Sequence, residues 1–89
     1  LKLDRDLVEK ALTSSLHCDV LSMLVRLAKD HGKKVLAEGI EQVAQLEMVR
    51  RIGVDYVQGF LLGRPAPQPV YEPTPMSRNG QVVYEATAP

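Results

Sequence analysis

Three short apolar segments, Leu1–Leu3, Val35–Ala37 and Tyr56–Val57, are separated by stretches whose apolar residues recur every three or four positions. This alternation constrains the chain most, because strand-sized and helix-sized periods repeat in turn. Leu1-Lys2-Leu3-Asp4 alternates apolar and polar, the period of a strand with two unlike faces. Leu7, Val8, Ala11 and Leu12 mark a short helix over 5–12, which Thr13, Ser14 and Ser15 break. A second helix is expected from an N-cap at Asp19, with Leu21, Leu24, Val25 and Ala28 on one face and Gly32 just past its end. A third is expected from about Gln42 to Ile52, stopped by Gly53. The helical intervals are long enough for crossovers between parallel strands, so the pattern predicts a parallel α/β fold. Three strands cannot close a barrel; they form an open sheet or part of an incomplete one.

From Arg64 onward the composition changes. Pro65, Pro67, Pro69, Pro73 and Pro75 crowd into eleven residues, and proline removes backbone donors and blocks helix. Residues 64–79 are expected to be extended or disordered. Gln81–Glu85 has a strand-like pattern, but a flexible tail is the preferred expectation.

Eleven basic residues offset eleven acidic ones. A dedicated DNA-binding arm or membrane-surface patch needs a basic excess, so both are excluded as expectations. No apolar run reaches the roughly 18 residues of a membrane span. Cys18 is the sole cysteine, which rules out a disulfide within the chain and favours an intracellular origin. A chain that begins with Leu1 is expected to be a piece of something longer.

The candidate functional residues are polar side chains where the strands end: Lys2 with Asp4, Glu38 and Gln58. In parallel α/β folds, chemistry collects at the carboxyl ends of the strands. Gly39 and Gly59 follow two of these residues and would allow close approach of a ligand or loop. The competing reading is a set of solvated strand-to-helix turns, in which Glu38 and Glu41 simply suit a helix N-terminus. His17, in a loop, and His31, at a helix end, look structural, as do Cys18, Met23 and Met48.

Leu1-Lys2-Leu3-Asp4-Arg5, Ala37-Glu38-Gly39-Ile40-Glu41 and Gln58-Gly59-Phe60 together resemble the C-terminal part of the EAL domain, and Arg64-Pro65-Ala66-Pro67 resembles the segment that closes it. EAL domains are bacterial phosphodiesterases acting on the second messenger cyclic di-GMP. The resemblance covers roughly residues 1–67; residues 68–89 remain as an extended or flexible C-terminal tail. It implies an incomplete (β/α) TIM-like barrel, about the last three strands with their helices. It implies a cytoplasmic, bacterial hydrolase that converts cyclic di-GMP to linear pGpG with Mg²⁺ or Mn²⁺. Lys2 and Glu38 match the family's catalytic lysine and glutamate, and Glu38 is also a metal candidate. Gln58 matches a substrate-contacting glutamine. Asp4 and Glu41 match supporting residues.

The other metal ligands of the family belong upstream of Leu1, so the isolated chain is expected to be inactive. The partners implied are cyclic di-GMP, the upstream remainder of the domain, a diguanylate cyclase-like or sensor domain, and optionally a second copy in a homodimer. Two rival readings stay open. One is a catalytically silent cyclic di-GMP-binding or protein-interaction module. The other is a remnant whose bare strand edges drive self-association.

Overall fold

The computed structural model describes residues 1–59 and 71–87. The elements run β1 (Lys2–Leu3), α1 (Arg5–Thr13), α2 (Ser15–Asp30), β2 (Leu36–Ala37), α3 (Val43–Ile52), β3 (Tyr56–Val57), β4 (Tyr71–Arg78) and β5 (Gln81–Ala86). They form a mixed α/β fold around one five-stranded sheet of order β1-β2-β3-β5-β4. β1, β2 and β3 are parallel neighbours, with Leu3 opposite Ala37 and Ala37 opposite Val57.

That register sorts the side chains. Leu3, Ala37 and Val57 point to one face and join Val8, Val25 and Val49 of the helices in the buried core. Lys2, Glu38 and Gln58 fall on the alternate positions, hence on the other face. Alternation within each strand thus separates packing from chemistry.

The helices form where the apolar spacing places them, with one correction. α2 begins at Ser15, four residues before the expected Asp19 cap. Ser14 is extended, and its Oγ accepts from the His17 N–H at 3.3 Å. The single extended residue Ser14 is therefore the whole break between α1 and α2. His17 lies in the first turn of α2, not in a loop, with Nδ1 2.9 Å from Ser14 Oγ. α3 ends at Gly53, whose φ of 94° is the left-handed geometry that glycine adopts without a Cβ penalty. Lys29 ties α2 to that end by donating to the Gly53 carbonyl at 2.8 Å and pairing with Asp55 at 3.4 Å.

The C-terminal region differs from a flexible tail. β4 and β5 form an antiparallel hairpin, and β5 pairs antiparallel with β3, Val57 opposite Tyr84. Asn79 and Gly80 both have positive φ, 52° and 77°, as the two-residue turns that match strand twist require. Pro73 and Pro75 are accommodated because β4 is an edge strand, where a missing donor costs no ladder bond. A register shift between Pro73 and Ser77 interrupts the pairing. Leu3 is buried, and β5 covers the outer edge of β3. Phe60-Leu61-Leu62 and Arg64-Pro65-Ala66-Pro67 lie outside the described residues. Among those described, no helix is long and apolar enough to cross a membrane.

Tyr71 anchors the hairpin. It is buried, and its hydroxyl donates to the Val54 carbonyl at 2.8 Å. Burial, and then the negative charge of Asp55, push its pKa up from 10.0 to about 12, with Arg50 acting the opposite way. A raised folded-state pKa means the native form holds the proton more tightly. The stabilisation it reflects is complete below pH 10 and is lost as pH climbs towards 12. Tyr71→Phe should cost about 1–2 kcal/mol at neutral pH, since the Val54 carbonyl loses its donor. It should also flatten the alkaline decline, whose slope approaches ~1.4 kcal/mol per pH unit for one proton. Urea unfolding of both chains between pH 7 and 11.5 reads the difference; parallel curves would remove Tyr71 as the cause.

Candidate functional site

The polar face of the three parallel strands carries the candidate residues. Backbone bonds set their level: Glu38 N–H donates to the Leu3 carbonyl at 2.9 Å, Gln58 N–H to Ala37 at 3.0 Å and Ile40 N–H to Gln58 at 3.2 Å. Glu38 and Gln58 each stand one residue past their strands, as expected. Lys2 does not; it lies within β1, level with Leu36, and reaches upward through its long side chain. Its Nζ is 3.6 Å from Glu38 Oε1.

Glu38 has a second cation beside it that the sequence reading missed. Arg78 Nε approaches the same Oε1 to 3.3 Å. That oxygen is buried and has no hydrogen bond of good geometry, so its contacts are Coulombic. Gln58 is buried, and its amide N–H₂ donates to the backbone carbonyls of Arg78 and, at 3.2 Å, Gln81. The hairpin turn is therefore part of the site. The signal was present in the dipeptide Asn79-Gly80 between two β-rich stretches.

The two supporting candidates divide. Glu41 forms an ion pair with Arg5 of α1, and its loop is held from below by Gln45, whose Oε1 accepts from the Glu41 and Gln42 N–H groups at 2.6 and 3.0 Å. Asp4 caps α1 instead of meeting Lys2: its Oδ1 accepts from the Leu7 N–H at 3.0 Å. Gly39 brings the Glu38 loop against Arg5, where a Cβ would lie 2.8 Å from the Arg5 Cβ. A cleft of about 240 Å³ opens between these parts, lined by Arg5, Glu38, Glu41, Gln58, Asn79 and Gln81 among others.

Chemically, the cleft presents two carboxylates, Glu38 and Glu41, the Arg5 cation and the amides of Gln58, Asn79 and Gln81, with Lys2 and Arg78 beside Glu38. Lysine and arginine suit a phosphate or phosphodiester, and an amide can donate or accept. A divalent cation is not accommodated by this set alone. No group of three or more His, Cys, Asp or Glu that could hold a metal occurs among the described residues, and Glu38 is flanked by positive charge.

The fold and this cleft define a mixed α/β protein with a polar site at the ends of its three parallel strands. The chain belongs to the EAL domain family, whose model matches residues 1–65. It is 40% identical over 67 residues to the bifunctional diguanylate cyclase/cyclic di-GMP phosphodiesterase MucR of Pseudomonas aeruginosa, a stretch covering 75% of this chain and 10% of MucR. Two solved structures share the fold. The MucR phosphodiesterase in complex with c-di-GMP superposes with a TM-score of 0.64, covering 75% of this chain and 27% of that one. An EAL domain protein from Listeria monocytogenes EGD-e is 35% identical, with a TM-score of 0.65 over 74% of this chain and 27% of that one. The chain thus spans about a quarter of either solved chain and a tenth of MucR.

Proposed function

We propose that these residues work as the C-terminal segment, over 1–67, of an EAL domain that hydrolyses cyclic di-GMP to linear pGpG. The observation that supports this is the convergence of Lys2, Glu38 and Gln58 on one face of three adjacent parallel strands in a member of this family. In this reading the sheet is part of a TIM-like barrel in a cytoplasmic bacterial protein. Lys2 places a positive charge against the phosphodiester as charge builds in the transition state. Glu38 offers its carboxylate to the attacking water, and Gln58 orients the dinucleotide through its amide. Glu41 and Arg5 hold the loop beside them. Mg²⁺ or Mn²⁺ enters only with acidic ligands beyond these 89 residues; when bound, such an ion supplies charge neutralisation and lowers the pKa of water.

A second reading has its own observation. Glu38 and Gln58 are both engaged by the hairpin, which suits a module that binds the nucleotide or a partner protein without turnover. A graft separates the two: residues 1–65 replace the matching segment of the MucR phosphodiesterase domain, and hydrolysis and binding of cyclic di-GMP are measured. Turnover near that of MucR is the expected result. Binding without turnover would favour the silent module, and loss of both in a folded graft would sink each reading.

A further inference from the structure

We propose that the groove between α2 and α3 binds a short acidic amphipathic helix of a partner protein, with carboxylates on Arg26 and Arg51 and an apolar side chain between them. The inference is independent of the phosphodiester-site reading, because the groove shares no lining residue with the cleft at the strand ends.

The groove has a volume of about 430 Å³ and is lined by Cys18, Ser22, Met23 and Arg26 of α2 and by Arg51 and Ile52 of α3. Its charge is one-sided, with two guanidiniums and no carboxylate. Among the described residues, neither arginine has an ion pair or a hydrogen bond. Each has a carboxylate one turn away on its own helix, Asp30 for Arg26 and Glu47 for Arg51, at a spacing that commonly pairs. Both line the groove instead. Lys2, Arg5, Lys29 and Arg78, by contrast, each meet a carboxylate. The helix dipole accounts for Arg51, in the last turn of α3, but not for Arg26, which precedes the last turn of α2.

The floor of the groove selects the kind of anion. Cys18 and Ile52 are partly buried against the core, whereas Met23 is 70% exposed. Methionine is unbranched and adapts its shape to a partner. Ser22 Oγ donates to the Cys18 carbonyl at 2.9 Å, so its proton is already taken. A free inorganic anion would leave Met23 and Ile52 wet. An amphipathic helix covers them with an apolar side chain, while carboxylates on the same face reach the two guanidiniums, which suit them in bidentate fashion. An anionic membrane fits less well, because it attracts clusters of four or more basic residues. Here Asp19 and Asp30 share α2 with Arg26, and acidic and basic residues number 11 each.

The test uses the 89-residue chain and a blocked, fluorescein-labelled peptide of leucine, glutamate and alanine, with leucines and glutamates along one helical face. Fluorescence anisotropy reads affinity, and amide resonances of residues 18–26 and 51–52 locate the contact; both should respond to the peptide. Arg26→Glu and Arg51→Glu should each weaken binding about tenfold, since each replaces attraction by repulsion. Arg50→Glu makes the same change of net charge outside the groove and should stay within about twofold of the wild type. Peptides with glutamine for glutamate, or alanine for leucine, should each lose about tenfold. Both groove arginines are exposed, so urea unfolding of their variants should follow the wild type. Should Arg51→Glu unfold because an acid then stands at the end of α3, Arg26→Glu decides alone. Unmoved amides, an equal loss in Arg50→Glu, or a glutamine peptide that binds as tightly would overturn the proposal. So would inorganic phosphate that displaces the peptide at equal concentration and matched ionic strength, because the groove would then hold a small anion. Failure of the grafted domain to hydrolyse cyclic di-GMP would leave each of these results unchanged.

Discussion

Replacing Gly59 by alanine should remove about half of the stability of the 89-residue chain. The added Cβ would lie 2.2 Å from the Ile40 carbonyl oxygen, 2.5 Å from its nitrogen and 2.8 Å from its carbonyl carbon. All three are backbone atoms, so no rotamer change relieves the clash. Gly59 is needed for close approach rather than for an unusual φ. Ile40 is fully buried, and its N–H donates to the Gln58 carbonyl across the same gap. Moving the two loops apart would break that bond and drag a core side chain with it. Combined loss of packing and of a buried hydrogen bond costs on the order of 3–5 kcal/mol. A chain of this length has only about 5–10 kcal/mol in total. Gly32→Ala is the control: its φ is +72°, nothing lies within 4 Å, and strain alone should cost about 1 kcal/mol. Urea titration by circular dichroism reads both. A Gly59→Ala chain that unfolds within 1 kcal/mol of the wild type would show that the loops separate without cost.

The same pair of loops shows what was legible in the residues. Gln58-Gly59 and Glu38-Gly39 stand out locally, because a polar side chain followed by glycine interrupts an apolar strand. Their neighbours in space are then set by parallel pairing, which the strand–helix alternation already demands. The N-terminus of α2 was less legible: Ser14 and Asp19 are both good caps, and the structure uses Ser14, which puts the half-buried Cys18 inside the helix and against the core. The hairpin was obscured by its prolines. Their density argues for an unstructured tail until β4 is known to be an edge, and edge position is a property of the whole sheet. Arg78 was least legible. Its meeting with Glu38 depends on the pairing of β5 with β3, across a connection that includes residues 60–70, and no local pattern encodes that register.

Glu38→Gln should lower hydrolysis of cyclic di-GMP by the grafted MucR domain about 10²–10⁴-fold while leaving the domain folded and able to bind the dinucleotide. The substitution keeps the side chain's size and removes its charge. In the 89-residue chain its structural cost is small: Glu38's partners, Lys2 and Arg78, are about half exposed, and pairs of that kind contribute roughly 0–1 kcal/mol each. A purely structural glutamate would therefore show little change in either assay. A glutamate that handles the proton of the attacking water, or that joins further carboxylates around a cation, needs its negative charge for either task, and glutamine cannot supply it. The two measurements diverge only when Glu38 acts at the reacting atoms. Turnover within threefold of the unsubstituted graft would remove Glu38 from the chemistry and leave Lys2 and Gln58 as a binding surface. A collapse of turnover accompanied by loss of folding would be uninformative in the graft alone, so unfolding of the 89-residue Glu38→Gln chain is measured alongside. If that chain keeps its stability to within about 1 kcal/mol, the charge is dispensable to the fold, and the missing turnover belongs to the reaction.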